Sequence, residues 1–186
     1  MNADPLSRSQ LAIVAAFAEL IEEVGNDDIS FRLIARRAGM GERTVFRHFP
    51  TREHLLLATA DWIERTVFPR ESIASVFDLP LSVRETMAAY DARPELSHVV
   101  AEAAMRGSDD PRPLPRSEQL EQLLRAEAPG LTEERARGMA AALTHIDSAT
   151  NWAALRREFA LTGRDLADAA AWAAETVLDE IRHPAS

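Results

Sequence analysis

The sequence predicts an all-α protein with an N-terminal three-helix helix-turn-helix domain and a larger helical C-terminal domain. Three observations predict this fold class. Apolar residues recur at helical spacing along most of the 186 residues, whereas the alternation typical of strands is nearly absent. Capping residues, glycines and prolines divide the chain into helix-sized segments. The length also suffices for one or two small domains with a real core.

The first three predicted helices form a helix-turn-helix pattern. A helix is predicted from about Ser9 to Val24, with apolar side chains on one face. The short apolar run 11–18 lies within it, and we interpret this run as part of an amphipathic helix and not as a leader peptide. Ser30 is the expected N-cap of a short second helix. Gly39 permits a tight turn before a third helix over Glu42–His48, which Pro50 ends. We therefore expect domains at 1–50 and 51–186.

The C-terminal part is predicted to contain further helices separated by irregular segments. Thr51 is the expected cap of a helix that reaches about Phe68, and residues 69–80 are expected to be irregular or broken helix. The proline-rich stretch 107–115 is predicted to be a loop. The remaining helices are expected at about Ser82–Ala92, Pro94–Arg106, Ser117–Ala128, Thr132–Phe159 and Gly163–Arg182.

Composition argues against several classes of protein. The absence of cysteine excludes disulfides and thiolate metal sites, which suits a cytoplasmic protein. His98, His145 and Asp147 lack the spacing of a metal site, so we expect no bound metal. No nucleophile elbow or glycine-rich phosphate loop is present. We therefore expect neither an enzyme nor a cofactor, and no apolar run is long enough to span a membrane.

Charge points to one local anionic partner. The formal net charge is −9, and the sequence contains arginine but no lysine. Between residues 30 and 54, however, six arginines face only Glu42 and Glu53. A compact basic segment on an acidic body is typical of a local nucleic-acid contact and not of a general coat. The arginines are Arg32, Arg36, Arg37, Arg43, Arg47 and Arg52.

The third predicted helix has the chemistry to read bases. Val45 and Phe49 are expected to anchor it, while Arg43 and Arg47 project elsewhere. A helix of this size fits the major groove, where arginine can donate two hydrogen bonds to guanine. The alternative is that these arginines are ordinary solvated charges, and for Arg36 and Arg37 individually we favour that interpretation.

The run from Ile34 to Leu55 resembles the DNA-binding signature of the TetR family of one-component regulators. The matching elements are Ile34-Ala35, Ala38-Gly39, Thr44, Arg47-His48-Phe49 and Glu53 with Leu55. The resemblance covers only the N-terminal part of the chain. It implies a cytoplasmic transcription regulator that binds double-stranded operator DNA.

The chain departs from the family pattern at positions that bear on the operator sequence. The family usually has serine or threonine at Gly41, often lysine at Glu42, and tyrosine at Phe46. We expect Arg43 and Arg47 to read bases, with Arg32 as a further candidate, and Ser30, His48 and Arg52 to contact the backbone. The full expected DNA-binding set is Ser30, Arg32, Gly41, Glu42, Arg43, Thr44, Phe46, Arg47, His48 and Arg52.

The resemblance also implies that the C-terminal domain binds a ligand and forms a dimer. We expect a small, largely apolar effector that weakens DNA binding, so that the protein is a repressor. Candidate ligand residues are Trp62, Met87, Tyr90, Met105, Leu143 and Ile146. The alternatives are a domain that binds a protein partner, or an activator or constitutive DNA binder that shares the same N-terminal half.

The last two predicted helices are expected to build a symmetric homodimer. The final helix is rich in alanine, and small residues allow close helix approach. Two helix-turn-helix units would then meet a near-palindromic site at a spacing of about 34–36 Å. The alternative is that this stripe packs only within its own subunit. The expected interface residues are Trp152, Leu166, Ala170, Ala173, Val177 and Ile181.

Overall fold

The computed structural model describes residues 6–25, 29–106 and 115–182, and within these ranges it contains helices and no strand. The predicted all-α fold is therefore confirmed. The expected loop at 107–115 lies outside the described residues except for Pro115. The helices are α1 (Arg8–Val24), α2 (Phe31–Arg37), α3 (Glu42–His48), α4 (Arg52–Thr66), α5 (Leu79–Ala92), α6 (Pro94–Arg106), α7 (Pro115–Glu127), α8 (Glu133–Ile146), α9 (Ala149–Phe159) and α10 (Gly163–Arg182), with a 3₁₀ turn at Val76–Asp78.

Local side-chain caps explain where the first helices begin. Ser7 and Gln10 form a reciprocal capping box at the start of α1. The Ser30 hydroxyl accepts a hydrogen bond from the Leu33 amide at 3.2 Å, and Thr51 accepts one from the His54 amide at 3.1 Å. The predicted caps at Ser30 and Thr51 are thus confirmed, because each satisfies an amide that the helix leaves unpaired.

The described chain divides into two compact units. The first comprises the described residues of 1–69 together with 93–103, and the second comprises 70–92 with the described residues from 104 onward. In the first unit α1 packs against α2 and α4, while α2 packs against α3. Its core contains the fully buried side chains of Phe17, Ile21, Ile34, Val45 and Leu55. The functional boundary between residues 50 and 51 stays a prediction.

Two helices with a proline in their first turn begin earlier than the sequence pattern predicts. Helix α5 starts at Leu79 and so includes Pro80, and α7 starts at Pro115. Proline is tolerated in the first turn because the amide that it lacks would have no intrahelical partner there. Helix α7 therefore begins two residues before the predicted start at Ser117, and Pro115 belongs to this helix and not to the expected loop.

The predicted single helix from Thr132 to Phe159 is also wrong, because it is interrupted between α8 and α9. Asp147 leaves the helical conformation with ψ of 31°. Ser148 is extended, and its side chain accepts a hydrogen bond from the Asn151 amide, so it caps α9. The Asn151 side chain in turn donates to the Ile146 carbonyl at 2.9 Å. Local capping therefore overrides a periodicity that continues across the break.

The second unit is built around α5 and α10, which pack along each other, and around the α7–α8 pair. Tyr90 and Trp152 are fully buried in its core, with ring centroids 6.3 Å apart. Asp91 accepts hydrogen bonds from the Trp152 indole and from the Gly163 amide, which holds the start of α10. Among the described residues, no helix has the length and hydropathy needed to cross a membrane.

A buried ion pair lies at the break between α8 and α9. The side chain of Asp147 is fully buried, and the Arg116 side chain is 9% exposed. Their closest atoms, Nε of Arg116 and Oδ2 of Asp147, are 3.3 Å apart. Arg116 also donates to the Ser82 hydroxyl at 3.1 Å, and Nη1 of Arg70 lies 3.6 Å from the same carboxylate oxygen. The pair therefore connects α5, α7 and the α8–α9 break.

Candidate nucleic-acid interface

The turn between α2 and α3 holds α3 in a defined position. Val45 is fully buried and Phe49 almost so, and both anchor α3 within the first unit. Gly39 adopts φ of 66°, a conformation that side chains other than glycine rarely adopt. The Met40 amide donates to the Ala35 carbonyl at 2.9 Å and closes the turn. One face of α3 is thus fixed against α2, which leaves the opposite face for a partner.

The opposite face of α3 carries the residues predicted to read bases. Arg43 and Arg47 are exposed and lie one turn apart, so they share a face. Glu42 and Phe46 are exposed as well, while Thr44 and His48 are partly buried. An α-helix is about 10–12 Å across with its side chains, which matches the width of a DNA major groove of about 12 Å. The geometry is therefore suited to placing two guanidinium groups against base edges.

Phe46 forms part of an aromatic pair on this surface. Its ring stacks on that of Phe31, the first residue of α2, with centroids 4.5 Å apart and planes inclined by 15°. Phe46 is nevertheless 44% exposed. In the sequence Phe46 stands out only because the family usually has tyrosine there, and no sequence signal indicates its contact with Phe31.

The remaining arginines of the basic segment have different surroundings. Arg32 and Arg36 are exposed on α2. Arg37 instead pairs with Glu23 at 2.6 Å and with Glu19 at 3.2 Å, and these hydrogen bonds raise the pKa of Arg37 and lower that of Glu23. Arg37 thus attaches α2 to α1, as expected of a structural surface charge.

Arg52 has a structural contact that the sequence did not reveal. Its guanidinium donates to the Ile29 carbonyl at 2.6 Å and lies over the Phe17 ring at 5.0 Å. These contacts connect the start of α4 to α1 and to the residue before the Ser30 cap. The predicted contact between Arg52 and a phosphate stays a prediction, and any such contact would be made by a guanidinium already held in place.

Gly41 and Gly39 provide a matched pair for a stability test. Gly41 is the N-cap of α3, has ordinary φ of −74° and leaves open space for a Cβ. We expect Gly41→Ser to raise the free energy of unfolding by about 0.5–1 kcal/mol, because it supplies a cap and restricts the unfolded chain. Gly39→Ser should instead lower it by about 1–2 kcal/mol, since φ is positive there. Urea unfolding of both variants measures the contrast, and equal effects would contradict it.

The six candidate ligand residues differ in burial and in the unit to which they belong. Met87, Tyr90 and Leu143 are fully buried in the second unit, and Ile146 is partly buried. Met105 is 67% exposed, and Trp62 lies partly buried on α4 in the first unit. An open groove of about 590 Å³ lies elsewhere in the second unit, between α5 and α10, and none of the six lines it. Across the described residues, no group of three His, Asp or Glu side chains is arranged to hold a metal.

The predicted dimer residues divide into buried and accessible sets. Trp152, Leu166 and Ala170 are buried within the protomer, so almost no side-chain area is left there for a second chain to cover. Ala173, Val177 and Ile181 remain partly exposed. Trp172, which is 68% exposed on α10, is absent from the predicted interface set. The signal available in the sequence was a lone tryptophan on an alanine-rich helix face.

Comparison with known proteins agrees with this geometry. Residues 13–59 match the family model described as bacterial regulatory proteins of the tetR family. A search of curated protein sequences gave no match. The likeness to solved structures extends over nearly the whole chain.

Three solved structures illustrate that likeness. BioQ from Mycobacterium smegmatis is 20% identical with a TM-score of 0.66, over 95% of this chain and 98% of that one. BioQ with its natural double-stranded DNA operator is 18% identical with a TM-score of 0.61, again over 95% and 98%. A TetR variant from Acinetobacter baumannii AYE in complex with minocycline is 19% identical with a TM-score of 0.65, over 98% and 100%.

At these identities the solved structures show a common fold, and the family model adds the helix-turn-helix signature on which α2 and α3 are built. The exposed arginine face of α3 lies within the matched segment. The N-terminal segment of the chain is therefore a DNA-binding helix-turn-helix domain of the tetR family of bacterial regulatory proteins.

Proposed function

We propose that the protein is a repressor that binds a near-palindromic operator as a homodimer and is released by a small, largely apolar molecule. The observation that carries the DNA-binding part is the exposed pair Arg43 and Arg47 on α3. Because Val45 and Phe49 anchor the opposite side of α3, the two guanidinium groups are presented on a fixed helix. Bidentate contacts to guanine then give sequence preference.

The test is selection of bound DNA fragments from the source genome, followed by affinity measurements on the preferred duplex. Arg47→Ala should weaken binding by about 1–3 kcal/mol and relax the preference at one base position. The matched control is Arg36→Ala, since Arg36 is also exposed but lies on α2. If Arg47→Ala left both affinity and preference intact, α3 would not be the recognition helix.

We propose that the dimer forms through the face of α10 that carries Ala169, Trp172, Ala173 and Thr176. This α10 outer face lies opposite the buried face that packs on α5. An exposed tryptophan flanked by small side chains is typical of an interface anchor, because a partner helix can approach closely around it. The two copies of α3 would then read successive major grooves on one side of the duplex.

The effector part of the proposal is supported by the size of the second unit, which exceeds what dimerisation through α10 requires. The neighbour solved with minocycline provides a precedent for small-molecule binding on this fold. A panel of neutral and cationic apolar compounds tests it. A compound that binds the protein should raise its melting temperature. An effector should also release the protein from DNA, because it binds the DNA-free conformation more tightly than the DNA-bound one.

A protein partner is the second candidate for the C-terminal domain. It is favoured by exposed apolar side chains away from the α10 outer face, namely Met105 and Leu81. Under this alternative no compound in the panel would change DNA affinity, whereas Leu81→Glu would abolish the response to the partner without changing DNA binding.

A further inference from the structure

We propose that Phe46 contacts the 5-methyl group of a thymine in the major groove, so that the protein prefers thymine at one position of each half-site. This inference rests on the proposed function, in which α3 enters that groove. It assigns a base and a chemical group to a side chain that departs from the usual family pattern.

The position of the ring is fixed before any DNA is bound. Phe46 stacks on Phe31 with centroids 4.5 Å apart and near-parallel planes. One face of the Phe46 ring is therefore covered by α2, while 44% of the residue stays accessible. An aromatic side chain held in this way loses little further conformational freedom when it makes a contact.

The surroundings of the ring indicate what covers its exposed part. Arg43 precedes Phe46 by three residues and Arg47 follows it directly, and both are exposed. Positions three apart are neighbours on a helix surface. The apolar ring thus lies beside two exposed cations of α3, a pattern that suits the polyanionic duplex better than an apolar protein surface.

The chemistry of phenylalanine then selects the group on the DNA. The ring has neither a donor nor an acceptor, so it cannot bind a phosphate oxygen or the polar edge of a base. The thymine methyl is the apolar group that the major groove offers to such side chains. Burying one methyl group against the ring corresponds to about a fourfold gain in affinity.

Deoxyuridine provides the test, because it differs from thymidine only by this methyl group. The full chain is used to select duplexes from a random-sequence library, and each thymine of the preferred duplex is replaced singly by deoxyuridine. Replacing the contacted thymine in one half-site should weaken binding of the wild type about fourfold. Replacing it in both half-sites should weaken binding roughly fifteenfold. The same replacements should leave the affinity of Phe46→Ala unchanged. Phe46→Leu, which keeps an apolar side chain, should retain part of the thymine dependence.

The outcomes separate this inference from the proposed function. If Arg47→Ala loses affinity for DNA but no deoxyuridine replacement affects the wild type, the proposed thymine contact is wrong. The assignment of α3 as the recognition helix is then retained. If Phe46→Ala weakens binding to all duplexes equally, the ring contacts the sugar-phosphate backbone and the inference is overturned. A selection that returns no preferred duplex overturns both. The scan on the wild type decides the matter even if Phe46→Ala does not fold.

Discussion

Replacing Arg116 with methionine is expected to lower the free energy of unfolding by about 3–5 kcal/mol at neutral pH. Methionine keeps much of the length of the side chain but removes the guanidinium. Asp147, which is fully buried, would then retain only Arg70 as a cationic neighbour, at 3.6 Å. An incompletely compensated charge in the interior is costly because the protein cannot replace the water that it has lost.

The loss of unfolding free energy in Arg116→Met should become smaller as the pH falls. Burial raises the pKa of Asp147 above its ordinary value of 3.8, while Arg70 and Arg116 act in the opposite direction. Loss of Arg116 therefore raises the pKa of Asp147 further. A carboxyl group whose pKa is higher in the folded state stabilises the fold at low pH, and this contribution is lost as the pH rises through that pKa. Urea unfolding at neutral and mildly acidic pH measures the change.

Two further variants make the prediction sharp. The double variant Arg116→Met with Asp147→Leu should recover most of the loss, because replacing a buried pair by apolar residues is often neutral. Arg135→Met is the control, since Arg135 pairs with Glu180 where both side chains are about half exposed, so little change is expected. If Arg116→Met lowered the free energy of unfolding no more than Arg135→Met, the buried pair would have no special role in stability.

Trp172→Glu is expected to weaken the homodimer by about 30-fold or more. Exposed aromatic anchors often account for 2 kcal/mol or more of interface free energy, and a buried, unpaired glutamate adds a desolvation cost. Sedimentation equilibrium measures the dimer dissociation constant directly. Affinity for the near-palindromic duplex should fall in parallel, because a monomer holds only one half-site.

Met105→Glu is the matched control for this variant. Met105 is apolar and 67% exposed, almost the same as Trp172 at 68%, but it lies on α6. The control should leave the dimer dissociation constant unchanged. An unchanged constant for Trp172→Glu would instead remove the α10 outer face from the interface and support packing of this helix within its own subunit only.

Local signals in the sequence predicted the DNA-binding helices accurately. The bounds of α3 and α6 agree with the predicted ranges, and Ser30 and Thr51 cap the helices for which they were expected to do so. Caps, glycine turns and prolines act within a few residues of one another, so they can be identified in the sequence without knowledge of the fold. The arginine face of α3 follows from the same local pattern.

Such local signals do not predict contacts between residues that are far apart in the sequence. Nothing in the sequence distinguishes Arg37, which pairs with Glu19 and Glu23, from Arg36, which is exposed. Phe31 and Phe46 are 15 positions apart, and only the turn at Gly39 brings their rings together. Contacts of this kind depend on how helices pack, and periodicity contains no information about their partners.

The all-α class, the helix-turn-helix and the face of α3 that points away from the core were predictable from the sequence, because each follows from local backbone chemistry and the period of apolar residues. The burial of Asp147 at the α8–α9 break, where Arg116 and Arg70 approach its carboxylate, depends instead on how the helices of the second unit pack. The tertiary structure also decided which residues of α10 pack on α5 and that Trp172 stays exposed. An alanine-rich helix offers similar small side chains on every side, so only its packing partner determines which face is buried.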